Sequence, residues 1–113
     1  MNPSPENEDI VRQYFDRIFR RDPSVYDLYA EDALFVMPTG ERIEGREVIR
    51  AHIDARFQNT PHLDPVTLLA VLSAGSTVAV VLEATFDEGV FKGVDVFELE
   101  DGKIQVLSIY HQA

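Results

Sequence analysis

The chain has no cysteine, few basic residues and no long apolar run, and each shortage removes a class of function. Without thiols there is no disulfide framework, no thiolate metal site and no cysteine nucleophile, a composition compatible with a reducing compartment. Ten Lys and Arg stand against twenty Asp and Glu, for a formal charge of -10, and the basic residues form no cluster. Such a surface repels a polyanion, so nucleic acid is not an expected partner. No apolar stretch approaches the roughly 20 residues that a membrane-spanning helix needs. The opening MNPSPENED is acidic and proline-bearing where a secretory leader is basic and then apolar. A soluble, cytoplasmic protein without membrane partners is expected. A length of 113 residues with 45% hydrophobic content suffices for one core. The expectation is one domain over residues 6–113, preceded by a flexible terminus at 1–5.

Periodicity supplies the elements. From Glu6 to Arg20, Ile10, Val11, Tyr14, Phe15 and Ile18 recur at helical spacing. Asp22-Pro23 stops that helix and starts a shorter one containing Val25, Leu28 and Tyr29. A strand over Ala33–Pro38, a Thr39–Gly40 turn and a short strand Arg42–Glu44 follow. Arg46–Phe57 then reads as a third helix, with Val48, Ile49, Ile53 and Phe57 on its apolar face and Arg46, Glu47, Arg50 and Asp54 on its wet side. After the Asn59–Pro65 loop the period falls to two. Val66–Leu72, Thr77–Phe86, Phe91–Leu99 and Lys103–His111 read as strands, separated by Ser73-Ala74-Gly75-Ser76, Asp87-Glu88-Gly89 and Glu100-Asp101-Gly102. In Thr77–Phe86 one face carries Val78, Val80, Leu82, Ala84 and Phe86. Helices early and an antiparallel meander late indicate an α+β domain with helices on one face of the sheet. No repeat, low-complexity tract or linker interrupts it.

Asp95 stands out. In FKGVDVFEL the alternation puts it on the face of Phe91, Gly93, Phe97 and Leu99. A carboxylate among aromatic neighbours must be paired, wet or protonated. Two readings follow: an aspartate at the sheet edge or cavity mouth paired with an arginine such as Arg56, or a largely neutral carboxyl that donates a hydrogen bond to a ligand oxygen.

The order in Tyr29–Phe57, YAEDALFVMPTGERIEGREVIRAHIDARF, resembles the front half of the NTF2-like superfamily, in the branch that holds SnoaL-type cyclases and ketosteroid isomerase. The resemblance implies a cone of curved antiparallel sheet closed by three helices around a pocket for a small apolar molecule. The pocket is expected to be lined by Tyr14, Phe35, Met37, Val80, Leu82, Phe86, Asp95, Phe97 and His111. In ketosteroid isomerases a tyrosine of the first helix and an aspartate of a late strand hold the developing oxyanion. YFDRIF matches the first at Tyr14, and VDVFELEDGKI matches the second at Asp95. Tyr29 matches a tyrosine that supports this network in some relatives, whereas a third, on the third helix, is Ile53 here. The family's catalytic base, an aspartate just before the proline that ends the first strand, is replaced by Met37 in FVMP, and the cyclases' last-strand aspartate by Ile109. An oxyanion site without a base binds an enol, phenol or carbonyl but does not move a proton between carbons.

His111 is a substitute if the last hairpin carries a bulge at Asp101-Gly102, which turns Leu107, Ile109 and His111 toward Asp95; a tight two-residue turn presents Val106, Ser108 and Tyr110 instead. Otherwise His111 is a rim residue bonded to backbone. His52, beside Ile53, reaches the cavity or solvent according to the helix rotation, and His62 lies in a polar loop. No histidine pair has the spacing of a metal site, so neither a metal nor another cofactor is expected. On the outer sheet face Ala79, Val81, Val94 and Val96 form an apolar patch that a second copy of the chain would cover. The resemblance implies an isomerase- or cyclase-like enzyme acting on a carbonyl-bearing apolar metabolite or, as the alternative, a ligand-binding accessory dimer.

Overall fold

The computed structural model describes residues 2–59, 66–86 and 89–111, with the backbone alone for Thr85, Phe86 and His111. The loop containing His62 lies outside these residues, as does most of the turn at Asp87-Glu88-Gly89.

The first helix, α1, spans Pro5–Phe19 because the residues around Pro5 are helix starters. Ser4 accepts from the Asn7 amide at 3.3 Å, Pro5 opens the first turn, and Glu6 and Glu8 sit where the helix dipole favours negative charge. Val11, Tyr14 and Phe15 form its buried stripe. The residues before it, read from the sequence as a loose terminus, make specific contacts. The Ser4 amide donates to Ser73 Oγ at 2.7 Å, the Gly75 amide donates to the Asn2 carbonyl at 2.9 Å, and Ser73 Oγ donates to Glu8 Oε2 at 2.5 Å.

Asp22 caps the next element by accepting from the Ser24 amide at 2.9 Å. This element is a 3₁₀ helix, Pro23–Leu28, and it ends one residue sooner than the sequence suggested. Tyr29 already has extended backbone and begins strand β1, Tyr29–Val36, pairing with Ile104. β2, Arg42–Glu44, folds back on β1. Gly45, at φ 95°, then turns the chain into helix α2, Arg46–Asn59, and its amide donates to the Ala33 carbonyl at 2.8 Å. A side chain at that φ would be strained.

The helix α2 is rotated from the expected face. Ile49 and Ile53 are buried, but Val48 is exposed and His52 is half-buried. The buried stripe therefore runs through 49, 52 and 53, where i, i+3 and i+4 meet on one side of a helix. Valine's hydrophobicity suggested the wrong flank.

Strands β3 (Val66–Ala74), β4 (Thr77–Phe86), β5 (Gly89–Glu100) and β6 (Lys103–His111) complete a six-stranded sheet in the order β2-β1-β6-β5-β4-β3. Only β1 and β6 are parallel to one another; the other described pairs are antiparallel. The end strands β2 and β3 do not pair, so the sheet stays open, and ladder irregularities at Leu68/Ala70 in β3 and Glu98/Leu99 in β5 bend it. The expected α+β architecture is what is found.

The last hairpin combines both of the turns expected as alternatives. Glu100 pairs with Lys103, and Asp101 and Gly102 both have positive φ, so the turn is the tight two-residue kind that Asp-Gly favours. The extra residue comes one step later: Leu99 pairs with Ile104, and Glu98 pairs with Val106, leaving Gln105 unmatched. This bulge corrects the expected position at Asp101-Gly102, yet it restores the parity. Leu107 faces Phe97, Ile109 faces Asp95, and the backbone of His111 pairs with Gly93. The inner face thus holds Val78, Val80, Phe97, Leu99, Ile104 and Leu107 as core, packed under Tyr14, Phe15 and Ile49.

Candidate functional site

Asp95 is the only polar or charged residue buried in the described core, 8% exposed. Its strand neighbours on the same face are Gly93 and Phe97, and across the ladder it meets Val80 and Ile109. Among the described residues its carboxyl has no hydrogen bond or ion pair; Arg56, a candidate partner, is an exposed residue of α2. Desolvation raises its pKa from 3.8 to about 7. At neutral pH both the acid and the carboxylate are populated, the condition under which a group can both give and take a proton.

Beside it lies a pair of phenols. Tyr14 Oη and Tyr29 Oη are 2.7 Å apart, and both rings are buried. The Tyr14 ring is held edge-on by Phe15, Tyr29 and Phe97, with centroids 5.4 to 5.6 Å away. Burial is the largest cause pushing both hydroxyls above the usual phenol range, and the Asp95 charge pushes in the same direction on each. Both hydroxyls are therefore protonated at neutral pH. Two hydroxyls carry two hydrogens, and their mutual bond uses one. The other has no acceptor among the described residues, while the Asp95 carboxyl lies within electrostatic reach.

A third polar group was not chosen from the sequence. His52 Nε2 is fully buried and without a hydrogen-bond partner among the described residues, and the imidazole lies 5.9 Å from the Phe35 ring, centroid to centroid. The signal was its spacing from Ile49, three residues earlier on the same helix face. Phe35, Val80 and Phe97, expected as lining, are core residues, and Met37 and Leu82 pack at the core's margin. The side chains of Phe86 and His111 lie outside the described residues. Among the described residues no three His, Asp or Glu side chains group so as to hold a metal ion, and no helix is long and apolar enough to cross a membrane.

The local pattern and the overall architecture agree with known proteins. Residues 11–107 match the SnoaL-like domain family, and the chain belongs to it. Among solved structures, a Kribbella flavida protein named as a candidate ketosteroid isomerase is 27% identical, with a TM-score of 0.80, over 96% of this chain and 78% of that one. A candidate SnoaL-like polyketide cyclase from Jannaschia sp. is 20% identical, with a TM-score of 0.82, over 99% and 91% of the two chains. An NTF2-like protein of unknown function from Mesorhizobium loti is 21% identical, with a TM-score of 0.82, over 97% and 93%. The last two likenesses carry the fold alone. No curated protein matches the sequence.

Proposed function

We propose that this SnoaL-like chain binds a small apolar molecule through one oxygen, a ketone, enol or phenol, and that it acts as an isomerase- or cyclase-like enzyme on a carbonyl-bearing member of that class. The observation that carries the reading is Asp95, a buried carboxyl with no described partner and a pKa near 7. A carboxyl desolvated among apolar neighbours costs free energy when it ionises, and a ligand oxygen that accepts its hydrogen bond favours the neutral form. Protonated Asp95 donates one hydrogen bond to that oxygen and the Tyr14–Tyr29 pair supplies the second from its free hydrogen. Two donors aimed at one oxygen favour the charge that develops there as an α-proton leaves. His111, whose backbone pairs with Gly93 two residues from Asp95 on β5, is the proposed proton-exchanging group.

Met37, in the position of the family's aspartate base, favours the second reading: a ligand-binding accessory protein with no turnover. In either case we propose a homodimer through the outer sheet face. Ala79, Val81, Val94 and Val96 are only half-buried there, and Leu72 and Tyr110 are 62% and 59% exposed. A cytoplasmic setting fits the cysteine-free composition.

Incubation with beta-tetralone, a bicyclic ketone with acidic α-hydrogens, in deuterated water separates the readings. The enzyme reading expects protein-dependent deuterium incorporation at the α-carbon that Asp95→Asn abolishes. Binding with no incorporation supports the accessory reading. Failure of both this ketone and simple phenols to bind contradicts the ligand site itself.

A further inference from the structure

Two polar groups without described partners, Asp95 of the sheet and His52 of a helix, both lie on the helix-covered side of the sheet, at different places along it. Asp95 is on β5, central in the sheet. His52 is on α2, over Phe35 of β1, two strands away across β6. The ladder fixes the offset. Phe35 pairs with Leu107 and Leu107 pairs with Phe97, and Asp95 is two residues from Phe97 along β5. With strands about 4.8 Å apart and about 3.3 Å per residue, the Cα atoms of Asp95 and of Phe35, the residue beneath His52, are separated by about 12 Å, a span on the scale of a two-ring molecule. The side chains of the intervening layer are apolar: Leu107 is buried, and Ile109 and Met37 are partly buried against the core.

On the reading that this face binds a ligand, we infer that the ligand is polar at both ends, with Asp95 and the phenol pair holding one oxygen and His52 Nε2 holding a second hydrogen-bonding group across an apolar body. Chemistry supports the assignment from both sides. The buried Nε2 of His52 has no hydrogen-bond partner among the described residues, and such an atom destabilises the ligand-free protein. A neutral imidazole nitrogen accepts or donates according to its tautomer, so a hydroxyl serves it in either state. His52 is thus a positioning residue that selects and orients the ligand, remote from the oxygen at which charge develops.

A pair of probes differing by one hydroxyl tests this: para-phenylphenol, with one polar end, and para,para′-biphenol, with two. Calorimetric titration of the wild type is expected to show the biphenol binding about five- to tenfold tighter, beyond the statistical factor of about two that its symmetry confers. In His52→Phe the advantage of the biphenol over para-phenylphenol falls to that statistical factor. His52→Gln, which keeps a donor and an acceptor, retains part of the advantage. Without ligand, His52→Phe is expected to melt no lower than the wild type, since an apolar ring replaces an unbonded nitrogen; should it fail to fold, His52→Leu takes its place. The inference is overturned if para-phenylphenol binds in an Asp95-dependent manner but the second hydroxyl adds nothing in the wild type, or if its benefit survives the loss of the imidazole. If neither probe binds, or Asp95→Asn binds para-phenylphenol as tightly as the wild type, the ligand site itself is refuted and the inference falls with it.

Discussion

Two regions of one inner face differ in how their polar atoms are accommodated. Around Tyr14, Tyr29 and Phe97 the rings meet edge to face, the two phenols bond one another, and Phe97 is fully buried. A few ångströms along β5, and across β6 under α2, Asp95 and His52 Nε2 have no described partner at all. The first region has the features of a folding core, in which the two phenol oxygens bond one another among close-packed rings. The second sets a desolvated carboxyl and a buried imidazole nitrogen, neither with a described partner, among apolar side chains, an arrangement that fits a site completed by another molecule. The contrast teaches that tight aromatic packing at Phe97 and a desolvated carboxyl at Asp95 stand two residues apart on one strand.

The largest expected effect comes from breaking the packed region. Phe97→Ala removes a ring that touches both Tyr14 and Phe15 and should destabilise by about 3–5 kcal/mol in urea unfolding. A loss below about 1 kcal/mol would show that this end of the face is not the tight core described.

The second effect has the opposite sign at the unmatched end. An acid whose folded pKa lies above its unfolded value holds its proton more tightly when folded, so its contribution is full below about pH 4 and is lost as the pH rises to about 7. Three units correspond to on the order of 4 kcal/mol. Asp95→Asn cannot ionise there; its unfolding free energy should fall much less between pH 4 and 8, and at pH 8 it should exceed that of the wild type. Parallel curves for the two proteins would refute the desolvated carboxyl.

Smaller still is the link between the two regions. Tyr14→Phe leaves the Tyr29 hydroxyl without its bond and should lower stability by about 1–3 kcal/mol, measured by thermal unfolding at fixed pH. A neutral outcome would indicate that water or Asp95 takes over the vacant bond, and would make the phenol pair part of the unmatched region.

The strands, the helices and the orientation of Asp95 were legible because they depend on local rules. Alternation alone put Asp95 with Gly93 and Phe97, and Gly45 marked the strand-to-helix turn at positive φ. The α+β arrangement followed from the order of the periodic segments. Other features depend on tertiary context. The bulge at Gln105 leaves no turn residue to announce it; what fixes it is the need to bury both Ile104 and Leu107. The rotation of α2 is decided by packing on β1, which no single-helix pattern contains, so Val48 was placed inside and His52 left undecided. Tyr29 was assigned to a helix because Asp22-Pro23 starts one, and where that helix ends is set by pairing with Ile104. Its role as the hydrogen-bond partner of Tyr14 is a contact across fifteen residues that spacing does not reveal.

The most direct measurement is the titration of the Asp95 side-chain carboxyl carbon by NMR in the wild-type protein, with Asp95→Asn identifying the resonance. The expected midpoint is near pH 7, against 3.8 for an ordinary aspartate. A midpoint near 4 would mean a solvated or paired carboxylate, and would contradict the desolvated acid on which the proposed site depends.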